Sequence, residues 1–188
     1  MDQNIIDSET QEKLDAFIKQ EEGDSNDYQG LLAKFITLVA VGMSLFHLYA
    51  AYSIVPTQQL RVIHVALVLF LVFLSFPIAA RFKNRLMLWD VIFAAGSVLI
   101  AYYILSGGDD FMDRNTAPNS TDVMVGIALI LLILESVRRT NGMVLVTVTV
   151  LFLLYALFGN YLPAPWTHKG YGLDRLVGYM YMTLEGVY

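Results

Sequence analysis

The sequence predicts an all-α membrane protein with about five transmembrane helices and a C-terminal amphipathic helix at the membrane interface. Five apolar stretches each approach the roughly 20 residues that a helix needs to cross a bilayer. They are 31–55, 61–80, 86–106, 120–137 and 142–161. They are apolar on all sides, as burial in lipid or in a helix bundle requires, and nearly all the charge lies in the short linkers between them.

The composition excludes several classes of protein. The chain has no cysteine, so it can form neither a disulfide framework nor a thiolate metal site. Nine of its 17 acidic residues lie in the first 27 positions, and there is no basic patch, which argues against nucleic acid as a partner. The first apolar run begins at Leu31, after this acidic tail, so we expect the first span to act as an uncleaved insertion signal.

The basic residues divide unequally between the two predicted sides of the membrane. Eight lie on the side of the tail: Lys13, Lys19, Lys34, Arg81, Lys83, Arg85, Arg138 and Arg139. Four lie on the other side: Arg61, Arg114, Lys169 and Arg175. Because lysine and arginine favour the cytoplasmic side, we expect a cytoplasmic N-terminus and an external C-terminus.

The tail, residues 1–30, predicts one short helix outside the membrane. Ser8-Glu9-Thr10-Gln11 matches the S-x-x-Q capping box that begins many helices. Leu14, Phe17 and Ile18 then share a narrow face, and Gly23 is a plausible end. A solvated helix is the favoured interpretation, and a docking element is the alternative.

Proline and small residues mark the limits of the next spans. Val55-Pro56-Thr57 predicts the turn of a hairpin, and Pro77 predicts a kink or an end near the inner end of the second span. Ala94-Ala95-Gly96 is small enough to let a neighbouring helix approach closely. Ser106-Gly107-Gly108 is expected to break the third helix.

The linker 107–119 is the longest between spans and is predicted to lie outside. It carries Asp109, Asp110 and Asp113 beside a single Arg114, in a turn-rich background. This acidic loop is either solvated or faces a soluble partner, and the first alternative is favoured.

The last segment follows Pro163-Ala164-Pro165-Trp166 and predicts an amphipathic helix. Its apolar residues recur at helical spacing on one face: Leu173, Leu176, Val177, Met180, Tyr181, Leu184, Val187 and Tyr188. The other face carries Asp174, Arg175, Thr183 and Glu185. Such a helix lies in the interface or against a partner and does not form a sixth span.

Ionisable residues at membrane depth are functional candidates. Asp90 lies at the inner end of the third span, and Glu135 lies three and four residues before Arg138 and Arg139, the spacing of a helical ion pair. These four residues form either a structural anchor or a coupling site. The anchor is favoured because they lie at the rim of the membrane and not at its midplane.

His47 and His64 lie in the outer halves of neighbouring spans. A metal site needs further ligands, and none is apparent, so a bundle-facing histidine hydrogen-bonded to a neighbour is the favoured interpretation. The sequence shows no nucleophile with a base, no phosphate loop and no paired catalytic carboxylates, so an enzyme is not expected. It also lacks the repeated halves and interrupted helices that form substrate sites in secondary transporters, which favours a scaffold.

Several segments resemble the fused permease of tripartite ATP-independent periplasmic (TRAP) transporters, most closely the branch served by TAXI-type binding proteins. They are Leu134-Glu135-Ser136-Val137-Arg138-Arg139-Thr140, Leu153-Leu154-Tyr155-Ala156-Leu157-Phe158-Gly159, His168-Lys169-Gly170-Tyr171, Leu173-Asp174-Arg175-Leu176-Val177 and Glu185-Gly186. The resemblance covers about residues 31–188.

The resemblance implies that residues 31–139 form a small four-helix domain, and that 140–188 are the connecting helix and the beginning of a large domain. In the family the large domain carries the substrate and sodium sites, so no cofactor is expected here. Implied partners are the large domain, a periplasmic TAXI-type binding protein and the lipid bilayer of a prokaryotic cytoplasmic membrane. Family members continue for several hundred residues, so we expect a truncated gene, a fragment or half of a split permease.

The alternative is an unrelated helical membrane protein. It would be an accessory or interaction module, or a small intramembrane enzyme. An enzyme should bring polar residues together at one depth, whereas this sequence scatters them.

The predicted topology can be tested by cysteine labelling, since the chain has no cysteine of its own. Single cysteines at Asn115 and Tyr171 should react with an impermeant reagent from the external side. Labelling of either position from the cytoplasmic side alone would overturn the topology.

Overall fold

A computed structural model describes residues 25–187 and four helical residues of the tail, namely Thr10, Gln11, Lys13 and Leu14. The predictions made for the other tail residues, including Ser8, Phe17, Ile18 and Gly23, lie outside the described residues, as does Tyr188.

The protein is an all-α membrane protein, as predicted. From residue 31 onwards six helices follow one another: α1 Leu31–Tyr52, α2 Thr57–Ser75, α3 Leu88–Asp113, α4 Ser120–Asn141, α5 Met143–Phe158 and α6 Leu173–Met182. Counting the short 3₁₀ turns that extend α3 and α5, the first five are long and apolar enough to cross a membrane. No strand occurs in the part of the chain that the structure describes.

Successive helices run in opposite directions, so the segments that connect them lie at two opposite ends of the bundle. We call one the tail end; it holds residues 25–30, the linker 76–87 and the junction of α4 and α5 at Gly142. The opposite end is called the far end; it holds the linkers 53–56 and 114–119 together with residues 159–187.

Helix α2 lies four or five residues earlier than predicted, at 57–75 and not 61–80. It begins directly after Pro56 and ends two residues before Pro77. A proline disfavours helical geometry in the residue before it, and Phe76 is extended, with φ −113° and ψ 123°. Pro77 therefore marks an end and not a kink. Helix α1 likewise ends at Tyr52, short of the predicted 55.

The prediction that residues 107–119 form a linker was wrong for its first half. Helix α3 is interrupted at Gly108, as Ser106-Gly107-Gly108 predicted, with a φ of 51° and a ψ of −137° that are accessible to glycine. The chain then resumes a helical course to Asp113. This segment is helical because Phe111 is buried, with its ring 5.2 Å from that of Tyr181 and 6.3 Å from that of Tyr103. Asp109, Asp110 and Asp113 thus lie on the last turns of a helix.

Helices α2, α3 and α4 form the core. Its buried residues include Val62, Leu69, Phe73, Ala94, Ile104 and Leu129. Small residues allow α2 and α3 to approach closely, since the Ser97 hydroxyl donates to the carbonyl of Ala66 across the helix pair at 3.3 Å. Of the predicted small-residue segment, Ala94 is buried, Ala95 is exposed and Gly96 faces Leu132.

Helices α1 and α5 are peripheral. Neither contains a buried residue, so each presents most of its apolar surface to the surroundings. Helix α1 packs on α2, and α5 packs on α4 after a break at Gly142, where φ is 79°.

Helix α6 folds back onto the protein itself, against α4 and the turn Arg114–Thr116. Val177, Tyr181 and Met182 are buried, and the Tyr181 hydroxyl donates to the carbonyl of Asp122 at 2.6 Å. Val177 and Tyr181 of the predicted apolar face are therefore covered, while Leu173 and Leu184 remain exposed.

Helix α6 is shorter than the apolar helical face predicted from Leu173 to Tyr188. The helix stops at Met182, and the chain turns back so that the Val187 amide donates to the carbonyl of Met180 at 2.6 Å. Gly186 makes this turn possible, because a Cβ there would overlap the backbone of Met180.

Gly126 on α4 permits the docking of α6, and its replacement is a test of that contact. A Cβ at this position would meet the side chains of Val177 and Tyr181. We expect Gly126→Ala to destabilise the protein by about 1–3 kcal/mol, the usual cost of overpacking, and to expose residues 162–187 to protease. The matched control is Gly42→Ala in α1, where the added Cβ meets nothing within 4 Å. Equal melting temperatures for the two variants would contradict this packing.

Candidate functional site: a buried charge network at the tail end

The four charged residues singled out from the sequence meet at the tail end of the bundle. Arg139, on the last turn of α4, has a side chain that is 0% exposed, and Asp90, on the first turn of α3, is 1% exposed. The Arg139 Nη1 donates to Asp90 Oδ1 at 2.7 Å, and its Nε donates to Glu135 Oε1 at 2.8 Å. A buried guanidinium is thus placed between two carboxylates.

Arg139 also closes the end of α2. Its Nη1 donates to the carbonyl of Phe76 at 3.0 Å, where the helix leaves carbonyl groups without intrahelical partners. The guanidinium lies over the rings of Phe73 and Phe93, 5.1 and 5.6 Å from their centroids. These contacts suit a planar cation in an apolar setting. The same side chain therefore joins α2, α3 and α4.

Glu135 is neutralised from two sides, as its spacing predicted. Arg138 forms a two-point contact with it, with Nε donating to Oε2 at 2.7 Å and Nη2 to Oε1 at 2.8 Å. The Arg138 Nη2 also donates to the carbonyl of Ile78 in the linker, at 2.8 Å. Such charge-assisted pairs are stronger than neutral hydrogen bonds. The predicted ion pairs of Glu135 with Arg138 and Arg139 are confirmed.

Asp90 serves two structural purposes at once. Its Oδ2 accepts from the amide of Met87 at 2.9 Å, which stabilises the start of α3, while Oδ1 receives Arg139. A carboxylate in the first turn of a helix is favoured by the helix dipole. With two arginines and two carboxylates, the network carries no formal net charge.

The last residues of the tail are fixed beside this network. The Asn26 amide donates to the carbonyl of Ser75 at 2.6 Å, and the side chains of Asn26 and Asn84 each accept from the other segment's backbone, at 2.7 and 2.6 Å. Burial, and then the nearby Asp90 carboxylate, raise the pKa of Tyr28. The segment 25–28 is thus part of the tail end of the bundle.

A second buried carboxylate, Asp122, lies at the far end. Arg114 donates to it from Nε and Nη2, both at 3.1 Å, and the Tyr103 hydroxyl donates to its Oδ1 at 2.7 Å. The Asp122 side chain is 0% exposed. Arg114, which the sequence placed on a partner-facing surface with Asp109, Asp110 and Asp113, is therefore turned towards the bundle, while the three aspartates are exposed.

Asp122 and Tyr103 were not predicted as site residues, although the sequence carries a local signal for Asp122. Asn119 and Asp122 form a reciprocal capping box, in which the Asn119 side chain accepts from the Asp122 amide at 2.8 Å and the Asp122 side chain accepts from the Asn119 amide at 3.0 Å. An Asn followed three residues later by an acid is the pattern of such a helix start. No sequence spacing indicates that Tyr103 would join it.

The two histidines contact one another, which confirms the predicted hydrogen bond, whereas the predicted bundle-facing position was wrong for His64, which is exposed. The Nδ1 of His64 and the Nε2 of His47 are 2.9 Å apart, and the Nδ1 of His47 lies 2.7 Å from the carbonyl of Met43. No group of three or more potential metal-ligating residues occurs among the residues that the structure describes.

The loop after α5 is held by a third histidine. His168 Nε2 donates to the carbonyl of Tyr155 at 2.8 Å, and its Nδ1 accepts from the amide of Gly170 at 3.0 Å. Gly159 allows the imidazole to approach, because a Cβ there would overlap the ring. The His168-Lys169-Gly170-Tyr171 segment therefore folds against the end of α5.

The buried carboxylates of these arrangements share one feature. Each buried carboxylate is paired with an arginine, so neither is available as a free proton acceptor. Among the buried side-chain nitrogen and oxygen atoms of the described residues, Arg139 Nη2 alone has no hydrogen-bond partner. A buried water molecule would suit this position. Comparison with known proteins gave no match to a family model, a curated protein or a solved structure.

The network should behave as one unit. Asp90→Ala leaves Arg139 short of a partner in an apolar site, and breaking such a pair costs about 3–5 kcal/mol. The double variant Asp90→Leu, Arg139→Leu removes both charges and should regain much of this stability. Arg81→Gln is the control, since no ion pair joins Arg81 to the described residues and exposed changes alter stability by about 0.5 kcal/mol or less. Thermal unfolding in detergent measures all three, and a double variant no more stable than Asp90→Ala would contradict the coupling.

Proposed function

We propose that this chain is the membrane scaffold portion of a TRAP-type secondary transporter permease. Such a permease takes up organic acids with a periplasmic binding protein and an ion gradient. The tail end would face the cytoplasm of a prokaryote, and the far end would face the binding protein. The observation that carries this proposal is the closed charge network of Asp90, Glu135, Arg138 and Arg139, which braces helix ends and leaves no open site.

The residues that carry the resemblance also carry these contacts, which supports the proposal. Glu135, Arg138 and Arg139 belong to the network. Gly159 and His168 form the tight contact at the end of α5. A family motif that coincides with long-range contacts constrains the packing of the helices, as a scaffold requires.

The course of the spans also favours a scaffold. Secondary transporters bind their substrates where spanning helices are interrupted near the midplane. Within the described spans the irregular point is Gly108, which lies near the far end and not at the middle. Substrate and sodium would then be bound by the large domain that the resemblance implies.

The peripheral helices offer the surface for that large domain. Helix α5 and the exposed residues of α6, such as Leu173 and Tyr179, face away from the core. Because the buried face of α6 already packs on α4, the large domain would dock on the exposed face of α6 together with α5.

Reconstitution tests the proposal. Residues 1–188 would be placed in proteoliposomes with a TAXI-type binding protein and a sodium gradient, with and without a separately expressed large permease domain. We expect co-purification of the two parts and organic-acid uptake when both are present. Sodium-driven uptake by residues 1–188 alone would refute the scaffold proposal, and so would failure of every tested TAXI-type large domain to bind.

The variant Glu135→Gln distinguishes a structural anchor from a coupling site. Glu135→Gln should reduce uptake only to the extent that it lowers assembly or the melting temperature, because its role is to neutralise Arg138 and Arg139. Arg81→Gln serves as the control for a lost charge at the same end. Abolished uptake by a Glu135→Gln permease that assembles and melts normally would replace the brace with direct ion handling.

A further inference from the structure

The hydrogen bonds of His47 and His64 determine where their protons lie. A backbone carbonyl can only accept, so the Nδ1 of His47, 2.7 Å from the Met43 carbonyl, carries a hydrogen. In the neutral ring the Nε2 of His47 is then an acceptor. The Nδ1 of His64, 2.9 Å away, must donate to it. When both rings are neutral, these hydrogen bonds run in one direction, from His64 to His47 to Met43.

One ring nitrogen remains outside this chain of bonds. The Nε2 of His64 carries a lone pair, and His64 is exposed. His64 lies seven residues after the start of α2, about 10 Å from its end at 1.5 Å per residue. Two open cavities, with volumes of about 420 and 490 Å³, lie beside the pair.

Among the described residues that line the cavities beside the histidine pair, one carries a permanent charge, namely Arg61. Arg61 lines the first cavity together with the apolar residues Leu60, Val65 and Val187, and its Nη1 donates to the carbonyl of Leu184 at 2.5 Å. The second cavity is lined by Met43, Ser44 and Leu48. No carboxylate lines either cavity among the described residues, so no negative charge offsets a second positive charge on the pair.

The pair is also the polar attachment of α1. Helix α1 has no buried residue, and among the described residues the His47–His64 bond is the hydrogen bond that links one of its side chains to another helix. The remaining contacts with α2 are apolar, such as the edge-to-face packing of Phe35 and Phe70, whose ring centroids are 6.3 Å apart.

We propose that His47 and His64 form a proton-binding site that controls the attachment of α1 to α2. The first proton binds to Nε2 of His64, which leaves the bond to His47 intact and gives it a charged donor. A second proton finds only the Nε2 of His47, which is already the acceptor of that bond. Its binding turns two N–H groups and two positive charges towards each other, beside Arg61, and so breaks the attachment. This inference does not depend on the proposed transport function.

Nitrogen NMR of the unmodified chain tests the binding sequence. The full chain, labelled with ¹⁵N at histidine and held in lipid nanodiscs, would be titrated from pH 8 to pH 4. We expect the pair to titrate in two separate macroscopic steps, as strongly interacting groups do, with His64 Nε2 changing in the first. The spectrum of His168 serves as an internal reference. Simultaneous, independent titration of His47 and His64 would overturn the proposal.

Spin-label distances test the effect on α1. Because the chain has no cysteine, cysteines at the exposed positions Leu45 and Gln59 would place one label on each helix. The distance distribution should remain narrow through the first step and broaden after the second. His47→Gln and His64→Gln should each abolish the broadening, since neither variant can hold two positive charges. Broadening that persists in these variants, or a distance that stays unchanged after both protons bind, would refute the control of α1.

Discussion

Neutralisation of the Arg139 side chain is the constraint on which the tail end of the bundle depends. A guanidinium cannot lose its charge in a protein, and burying an unpaired charge is strongly unfavourable. Once the side chain lies between Phe73 and Phe93, the ends of three helices must supply oxygen atoms to it. Asp90 comes from the start of α3, Glu135 from α4 and the Phe76 carbonyl from the end of α2. The positions of these helix ends follow from one cation.

The far end is also organised around a buried charge, but there the charge is negative. There the buried group is a carboxylate, Asp122, and Arg114 and Tyr103 converge on it. The carbonyl of the same residue accepts the Tyr181 hydroxyl and so joins α6 to the cluster. Helices α3 and α4 are thus tied by charge at both ends, whereas α2 is joined to them at the tail end through the Phe76 carbonyl. Between these contacts the core helices pack through apolar and small side chains. That distribution opposes relative sliding of the helices, which is what a brace requires.

The sequence was sufficient for the parts of this structure that local spacing encodes. Apolar length predicted five spans, and the i+3 and i+4 spacing predicted the pairing of Glu135 with Arg138 and Arg139. The pairing of Asp90 with Arg139 joins residues 49 positions apart, and no local pattern specifies such a partner. Both residues were recognised as charges at the same membrane depth, but their contact depends on how α3 and α4 pack.

Two of the errors arose where a tertiary contact overrode a local signal. Gly108 interrupts the helix as its propensity predicts, yet burial of Phe111 makes the residues after it helical again. The amphipathic face of α6 indicated a membrane surface or a separate partner, yet Gly126 gives α4 a flat patch that accepts Val177 and Tyr181. A hydrophobic pattern states that a face will be covered. It does not state by what, and here the missing information was the absence of one Cβ on a helix some 50 positions earlier.

The histidine pair attaches α1 to the core by a contact of a different kind from those within the core. Helices α3 and α4 are joined by pairs of carboxylate and guanidinium groups, side-chain types that ordinarily titrate far from neutral pH, and α2 joins them through the Phe76 carbonyl. Helix α1 has no such tie and is joined to α2 through two imidazoles, the side chains that titrate nearest to neutral pH. The bond lies at the far end, across the membrane from the Arg139 network. A proton can therefore act on α1 alone, and the rigidity of the core confines the movement to the helix that carries the weaker attachment.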